Sequence, residues 1–224
     1  MSSAEIIHVC GVTGIIAALG MVVVDLLMYG RSDSFKLLSC LKRAAGFPFW
    51  RLNASDFLGV GLIPIVALGF VPLFYALKPS GLFMALTVTG LFAYFMGMGD
   101  GVHASTADQY LLHRAREKQA DNSPEARILD SVIEEQGKMQ NVLVWMVRIM
   151  LLSGSLIYSI LVLIGNTHLP AWMAIINPFL LTAFAIYSER WMPSAIAGYL
   201  YPIKVYFGII PLQILTLIYM WNAL

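Results

Sequence analysis

Five of the ionisable side chains within apolar stretches of this sequence are the first candidates for chemistry. They are Asp25, Asp100, His103, Arg148 and Lys204. An ionised group at the centre of a bilayer costs about 3 kcal/mol or more, so residues of this kind in a membrane are functional candidates by default. What they can do depends on whether the apolar stretches span a membrane and on the depth at which each residue lies.

The composition is that of a membrane protein. Of the 224 residues, 59% are hydrophobic and 12% are charged, against about 25% charged residues in soluble domains. The mean hydropathy is +0.76. Such a chain cannot cover a globule with polar surface, so we expect lipid to surround it. The net charge of +1 argues against binding to nucleic acid.

Six apolar segments are long enough to cross a bilayer, which takes roughly 20 residues. They predict an all-α, polytopic membrane helical bundle that forms one domain over residues 1–224. Two polar loops between the spans each predict a short amphipathic helix on the cytoplasmic side, at 34–45 and 124–136, with Ser123 as the N-cap and Pro124 at the first position of the second. The predicted spans are 6–29, 57–77, 81–103, 140–164, 170–188 and 195–221.

Basic residues predict the orientation. Eleven of the 14 Lys and Arg residues fall in the first, third and fifth loops, whereas the opposite side holds Lys78 alone. Because cytoplasmic loops are enriched in Lys and Arg, both termini are expected on the non-cytoplasmic side, in a bacterial inner membrane. The eleven are Arg31, Lys36, Lys42, Arg43, Arg51, Arg114, Arg116, Lys118, Arg127, Lys138 and Arg190.

This orientation places all five ionisable candidates in the cytoplasmic half of the membrane. Asp25 and Asp100 lie within about a turn of the cytoplasmic ends of their helices. Arg148 and Lys204 lie about 12 Å from the cytoplasmic ends of theirs. Asp25 has too short a side chain to reach the headgroups, so it should face the bundle interior. Its expected partner is Lys204, with Arg148 as the alternative. The same residues also fit a bundle without any ligand, in which the cations extend to the headgroups.

Two further residues extend the candidate ligand-binding site. Tyr201 shares a helix stripe with Lys204, and Asn177 precedes Pro178 within the fifth span, where a freed carbonyl can bind a ligand. The pair Asp100 and His103 lies on one helix face, but the paired carboxylate-and-histidine motifs of helical di-iron sites are absent. We therefore expect no metal site, and neither a cofactor nor a catalytic residue can be assigned.

Three short landmarks resemble a family of uncharacterised six-helix bacterial membrane proteins. They are Asp25-Leu26-Leu27-Met28-Tyr29-Gly30, His103-Ala104-Ser105 and Asn177-Pro178. The resemblance implies a helical integral membrane fold over most of the chain and implies no activity.

Three functions stay open at this point. The first is binding or processing of a lipidic or amphiphilic ligand, with its polar head in the cytoplasmic-half pocket. The second is transport of a small solute or ion by two inverted three-helix halves. An internal repeat supports it: the spacing between Pro64 and Pro79-Ser80 is the same as that between Pro178 and Pro193-Ser194. The third is a structural or assembly subunit of a membrane complex. The expected partners are membrane lipids, a lipidic small molecule, and a second copy or another subunit.

Overall fold

The structure is a computed structural model that describes residues 2–30 and 46–223, and the described residues form helices without any strand. The predicted amphipathic helix at 34–45 lies outside them. The helices are α1 (Ser3–Tyr29), α2 (Phe49–Leu68), α3 (Val71–Leu77), α4 (Leu82–Glu117), α5 (Pro124–Ile164), α6 (Pro178–Ser188), α7 (Ser194–Ile203) and α8 (Tyr206–Ala223), with 3-10 turns at Lys78–Ser80, Ala171–Ile175 and Glu189–Trp191.

Five helical segments within the described residues are long and apolar enough to cross a membrane, which indicates an integral membrane protein. They are α1, the α2–α3 unit through Ser80, α4, α5 and α8. The predicted span at 170–188 is instead a 3-10 turn followed by α6, which has 11 residues. The predicted span at 195–221 is divided into α7 and α8 by a turn at Lys204 and Val205.

Residues at the ends of α1 explain why it begins and ends where it does. Ser2 accepts a hydrogen bond from the backbone of Glu5, whose carboxylate accepts one in return from the Ser2 backbone, a capping box that satisfies two otherwise unpaired donors. At the other end, Gly30 has a φ of 61°, a conformation that glycine adopts without strain. The chain therefore leaves the helix at Gly30.

The second span is broken between α2 and α3. Pro72 has no N–H to donate to the carbonyl of Leu68, so the helix cannot continue unchanged through this point. Gly69 ends α2, and the amide of Gln213 in α8 lies directly against it, donating from Nε2 to the carbonyl of Val66 at 3.0 Å. The buried amide thus supplies a hydrogen bond beside the break.

A long hairpin of α4 and α5 replaces the predicted second amphipathic helix. The N-cap at Ser123 is confirmed, because its hydroxyl accepts from the backbone of Ala126 at 3.0 Å. From there, however, α5 runs for 41 residues without a break, so 124–136 and the predicted span at 140–164 are one helix. Arg116 pairs with Asp130 at 2.8 Å and with Asp121 at 3.3 Å near the tip of the hairpin.

Aromatic stacking shows how the first and last helices run. His8, near the start of α1, stacks on Trp221, near the end of α8, with ring centroids 3.7 Å apart. Tyr206, at the start of α8, lies within electrostatic reach of Asp25 and Tyr29 at the end of α1. The two helices are therefore antiparallel. We call the end of the bundle at His8 and Trp221 the terminal end and the end at Tyr29 the polar end.

Candidate functional site

The imidazole of His103 is the centre of a buried polar cluster near the polar end. His103 lies on α4 and is 4% exposed. Its Nδ1 is 3.4 Å from Oδ1 of Asp25 on α1, and its Nε2 is 3.2 Å from Oγ of Ser55 on α2. The Ser55 hydroxyl also lies 2.9 Å from the carbonyl oxygen of Val24, to which it can donate. Three helices therefore meet through one histidine.

Two further carboxylates lie close to this histidine. Asp100, one turn before His103 on α4, and Asp56, beside Ser55 on α2, are both within electrostatic reach of it. Among the contacts of residues 2–30 and 46–223, Oδ1 of each carboxylate is buried without a hydrogen-bond partner. Such an atom normally has a partner, so the site offers acceptors that its own side chains leave unused.

A chain of neutral polar side chains continues from this cluster toward the polar end. Tyr29 lies 3.4 Å from the hydroxyl of Thr106, and Gln140 on α5 donates to that hydroxyl at 2.7 Å. Gln109 donates in turn to the side-chain oxygen of Gln140 at 2.8 Å. The two steps that involve Gln140 are short and buried, so they fix α4 against α5, and the longer, part-buried contact of Tyr29 adds α1.

Arg51 closes the polar end of α1. Its guanidinium donates from Nε to the carbonyl of Leu27 at 2.5 Å and from Nη2 to that of Leu26 at 3.0 Å, and it lies 3.8 Å above the ring of Phe47. Carbonyls in the last turn of a helix have few backbone donors, here among the described residues only the N–H of Gly30 to Leu26 at 3.0 Å, and a cation there is also favoured by the helix dipole. Arg51 therefore holds the start of α2 against the end of α1.

An apolar groove lies beside the polar cluster on the outer surface of the bundle. Its volume is about 230 Å³. Tyr206 links the two features, because it lines the groove, is 6% exposed, and lies within electrostatic reach of Asp25. The groove is lined by Val22, Ile203, Tyr206, Phe207, Ile210 and Pro211.

The structure brings together Asp25, Asp100 and His103 among the residues that the sequence singled out. Arg148 lies on the exposed face of α5, with its guanidinium 5.0 Å from the ring centroid of Trp145. Lys204 is half-buried in the turn before α8, next to the groove residue Ile203. The ion pair described for Asp25 is with His103. The side chain of Tyr201 lies outside the described part of the structure.

Asn177 has a structural position away from this cluster. Its side-chain oxygen accepts from the backbone of Leu180 at 2.8 Å, and its amide donates to Ser159 at 3.0 Å and to the carbonyl of Ala174 at 3.2 Å. Pro178 follows as the first residue of α6. Asn177 therefore caps α6 and ties it to α5.

Apart from Asn177 and Tyr201, only charged residues and His103 were singled out from the sequence, so the neutral members of the site were missed. Asp56 was missed because it falls just before the predicted span 57–77. Thr106 and Gln109 follow His103 at three-residue spacing, and Tyr29 follows Asp25 by four, so each continues a polar stripe along one helix face. That spacing was available as a signal. Ser55 and Gln140 lie on other helices, α2 and α5, so no spacing pattern within α1 or α4 could predict that they join the site.

The described residues contain no group of three His, Cys, Asp or Glu side chains arranged to hold a metal ion. What the cluster offers is a buried base, several hydrogen-bond acceptors and one serine hydroxyl. These groups can bind a polar head, hold a proton or activate a nucleophile.

Comparison with known proteins assigns the chain to a family but to no activity. Residues 1–223 match the family described as "Family of unknown function (DUF6796)". Neither the comparison with curated proteins nor the comparison with solved structures returned a match. Since the match spans nearly the whole sequence, the chain belongs to the DUF6796 family, a family of unknown function.

Proposed function

We propose that this protein binds a lipidic or amphiphilic ligand, with its apolar tail in the groove beside α1, α7 and α8 and its polar head at the His103 cluster. One observation carries the proposal: Tyr206 lines the apolar groove and lies within electrostatic reach of Asp25. An apolar groove that adjoins buried polar groups matches the two chemical halves of an amphiphile.

The size and position of the groove favour a single chain of the ligand. About 230 Å³ is below the roughly 300–1,000 Å³ of pockets that enclose whole drug-sized molecules, so the groove suits one acyl tail rather than a complete lipid. Phe207, one of its lining residues, is 44% exposed on the outer surface. A tail can therefore enter sideways from the bilayer.

The polar head would meet carboxylate oxygens that have no hydrogen-bond partner among residues 2–30 and 46–223. The unpartnered Oδ1 atoms of Asp56 and Asp100 accept hydrogen bonds, so a head that carries hydroxyl or amine donors fits this site. Lys204, half-buried next to the groove, adds a positive charge near its rim. Transport by inverted repeats is less well supported, because α4 is one continuous helix of 36 residues, whereas the corresponding segment of the second half is divided into α7, with 10 residues, and α8, with 18.

Lipid retention measured by native mass spectrometry tests the proposal. Ile210→Trp fills the groove, whereas Ile214→Trp adds the same bulk one turn further along α8, outside the groove, at a residue that is 38% exposed. The protein is released from detergent, and its bound lipids are counted and fragmented. We expect retained lipid to fall at least about tenfold in Ile210→Trp, which corresponds to 1.4 kcal/mol of binding free energy, and to be unchanged in Ile214→Trp. Equal retention in both variants, or no retained lipid in the unmodified protein, would contradict the proposal and leave a structural role.

For the topology we propose six crossings with both termini on the non-cytoplasmic side of a bacterial inner membrane. The stacking of His8 on Trp221 supports an even number of crossings. The sixth crossing is the broken segment between α5 and α8. It begins at the terminal end, where Ser80 donates to the carbonyl of Asn166 at 2.5 Å, and it reaches the polar end at Tyr206. Single cysteines at Ser3 and Asn222 should both react with an impermeant maleimide in intact cells. Reaction at one terminus only would mean an odd number of crossings.

A further inference from the structure

Three side chains of the buried cluster stand in the order carboxylate, imidazole and hydroxyl. Asp25 Oδ1 lies 3.4 Å from Nδ1 of His103, and Oγ of Ser55 lies 3.2 Å from Nε2 on the other side of the ring. We propose that Ser55 is an acyl-accepting nucleophile, His103 its general base and Asp25 a positioning residue, and that the substrate is an amphiphile with an ester-linked acyl chain. This inference rests on the proposed function and adds a reaction to it. Such an arrangement is recognised by geometry and roles rather than by sequence order.

The hydroxyl hydrogen of Ser55 has two acceptors within reach. The carbonyl oxygen of Val24 is 2.9 Å from Oγ, and Nε2 of His103 is 3.2 Å from it. Rotation about the Cβ–Oγ bond moves the hydrogen from one to the other without moving a heavy atom. When Nδ1–H points to Asp25, Nε2 carries a lone pair that can accept from Oγ of Ser55 at 3.2 Å, and the backbone carbonyl oxygen of Ser55, which can only accept, also lies 3.3 Å from Nε2. This is the tautomer that a general base requires.

Gly59 makes the close approach of His103 to Ser55 possible. It lies one turn after Ser55 on α2, and a Cβ at this position would stand 3.1 Å from both Cδ2 and Nε2 of the imidazole. That distance is tighter than ordinary van der Waals contact, so a methyl group here would push the ring away from Ser55. Gly59 is therefore a second positioning residue.

The reaction needs only water as a co-reactant. Oγ of Ser55 bonds to the ester carbonyl carbon while its proton moves to Nε2 of His103. The ester C–O bond then breaks, and the leaving alcohol takes that proton, which leaves the acyl chain on Ser55. A water molecule next gives its proton to Nε2 and bonds to the acyl carbon. The bond to Oγ breaks, Oγ recovers the proton, and a free fatty acid leaves.

An alkyl fluorophosphonate tests this assignment in the full-length protein in lipid nanodiscs. The reagent modifies activated serines, and peptide mass spectrometry locates the adduct. We expect an adduct on Ser55 in the unmodified protein and none at this position in Ser55→Ala. Labelling should be at least about 100-fold slower in His103→Asn, because the base is lost. Ser105→Ala removes another buried hydroxyl of the same region, near His103 on α4, and should label at the normal rate.

The positioning role of Gly59 has its own readout. Gly59→Ala should lower the maximal labelling rate while the half-saturating probe concentration stays unchanged, whereas general damage to the fold would change both.

No adduct on Ser55 in the unmodified protein, or equal labelling of His103→Asn, would overturn the inference. Native mass spectrometry on the same samples separates the two proposals: retained lipid without an adduct removes the reaction and leaves the binding function intact.

Discussion

Gly14 of α1 and Gly69, at the break between α2 and α3, touch backbone to backbone. A Cβ on Gly14 would overlap the Cα and the backbone nitrogen of Gly69, and Gln213 presses on Gly69 from the other side. Small residues allow membrane helices to approach in this way. The break in the second span is therefore held between two helices, with no room for a side chain.

Gly14→Ala should destabilise the protein by about 3 kcal/mol, since overpacking in a region that cannot shift costs this much. Gly97→Ala is the matched control, because a Cβ at Gly97 on α4 meets nothing within 4 Å, and alanine is the better helix former by about 1 kcal/mol. The free energy of unfolding in mixed micelles measures both. Equal stability of the two variants would contradict the close approach.

The pair of Asp25 and His103 predicts energetic coupling between α1 and α4. Asp25→Ala removes the partner of a ring that is 4% exposed, which should cost about 2 kcal/mol. A double-mutant cycle of Asp25→Ala and His103→Ala should give a coupling energy of about 1 kcal/mol or more. Asp108→Ala, at an exposed position on the same α4, should stay within about 0.5 kcal/mol of the unmodified protein. Strict additivity of the first two changes would mean that the residues do not interact.

The amide pair of Gln109 and Gln140 predicts that two changes are less harmful than one. Gln140→Leu leaves the Gln109 amide, 2% exposed, without its acceptor, and a buried unsatisfied group costs about 1–3 kcal/mol. Gln109→Leu together with Gln140→Leu removes both polar groups and should recover most of that loss. Thermal unfolding of the three variants measures this, and a double variant less stable than Gln140→Leu alone would exclude the paired arrangement.

Because α5 is continuous, the distance between two spin labels on it should have a single narrow distribution. Spin labels at Ile128 and Val142, which are 65% and 59% exposed, should lie about 21 Å apart along a helix that rises 1.5 Å per residue. Electron paramagnetic resonance reports this distance and its spread. A broad or much shorter distribution would instead support two separate helices.

That Asp25, Asp100 and His103 lie in one layer of the membrane stays a prediction. The sequence predicted the helical membrane class and most of the spans, because apolar length can be read from composition alone. It did not predict that Asp25 pairs with His103, since depth leaves open the direction in which a side chain points. Ser55 and Gln140 were missed because a neutral polar residue in a helix is common. The sequence predicted separate helices at 124–136 and 140–164, whereas α5 runs through both, and Gln140 within it pairs with Gln109 and Thr106 of α4.

The unbroken length of α5 has an electrostatic consequence for the tip of the hairpin. Residues 124–141 precede the apolar part of the helix and rise about 27 Å, which is roughly three Debye lengths at physiological salt. The surface potential of anionic lipids falls off within about one such length. Asp130, the partner of Arg116, lies about 17 Å or two Debye lengths before residue 141, so we expect ionic strength, rather than lipid composition, to set the strength of this pairing.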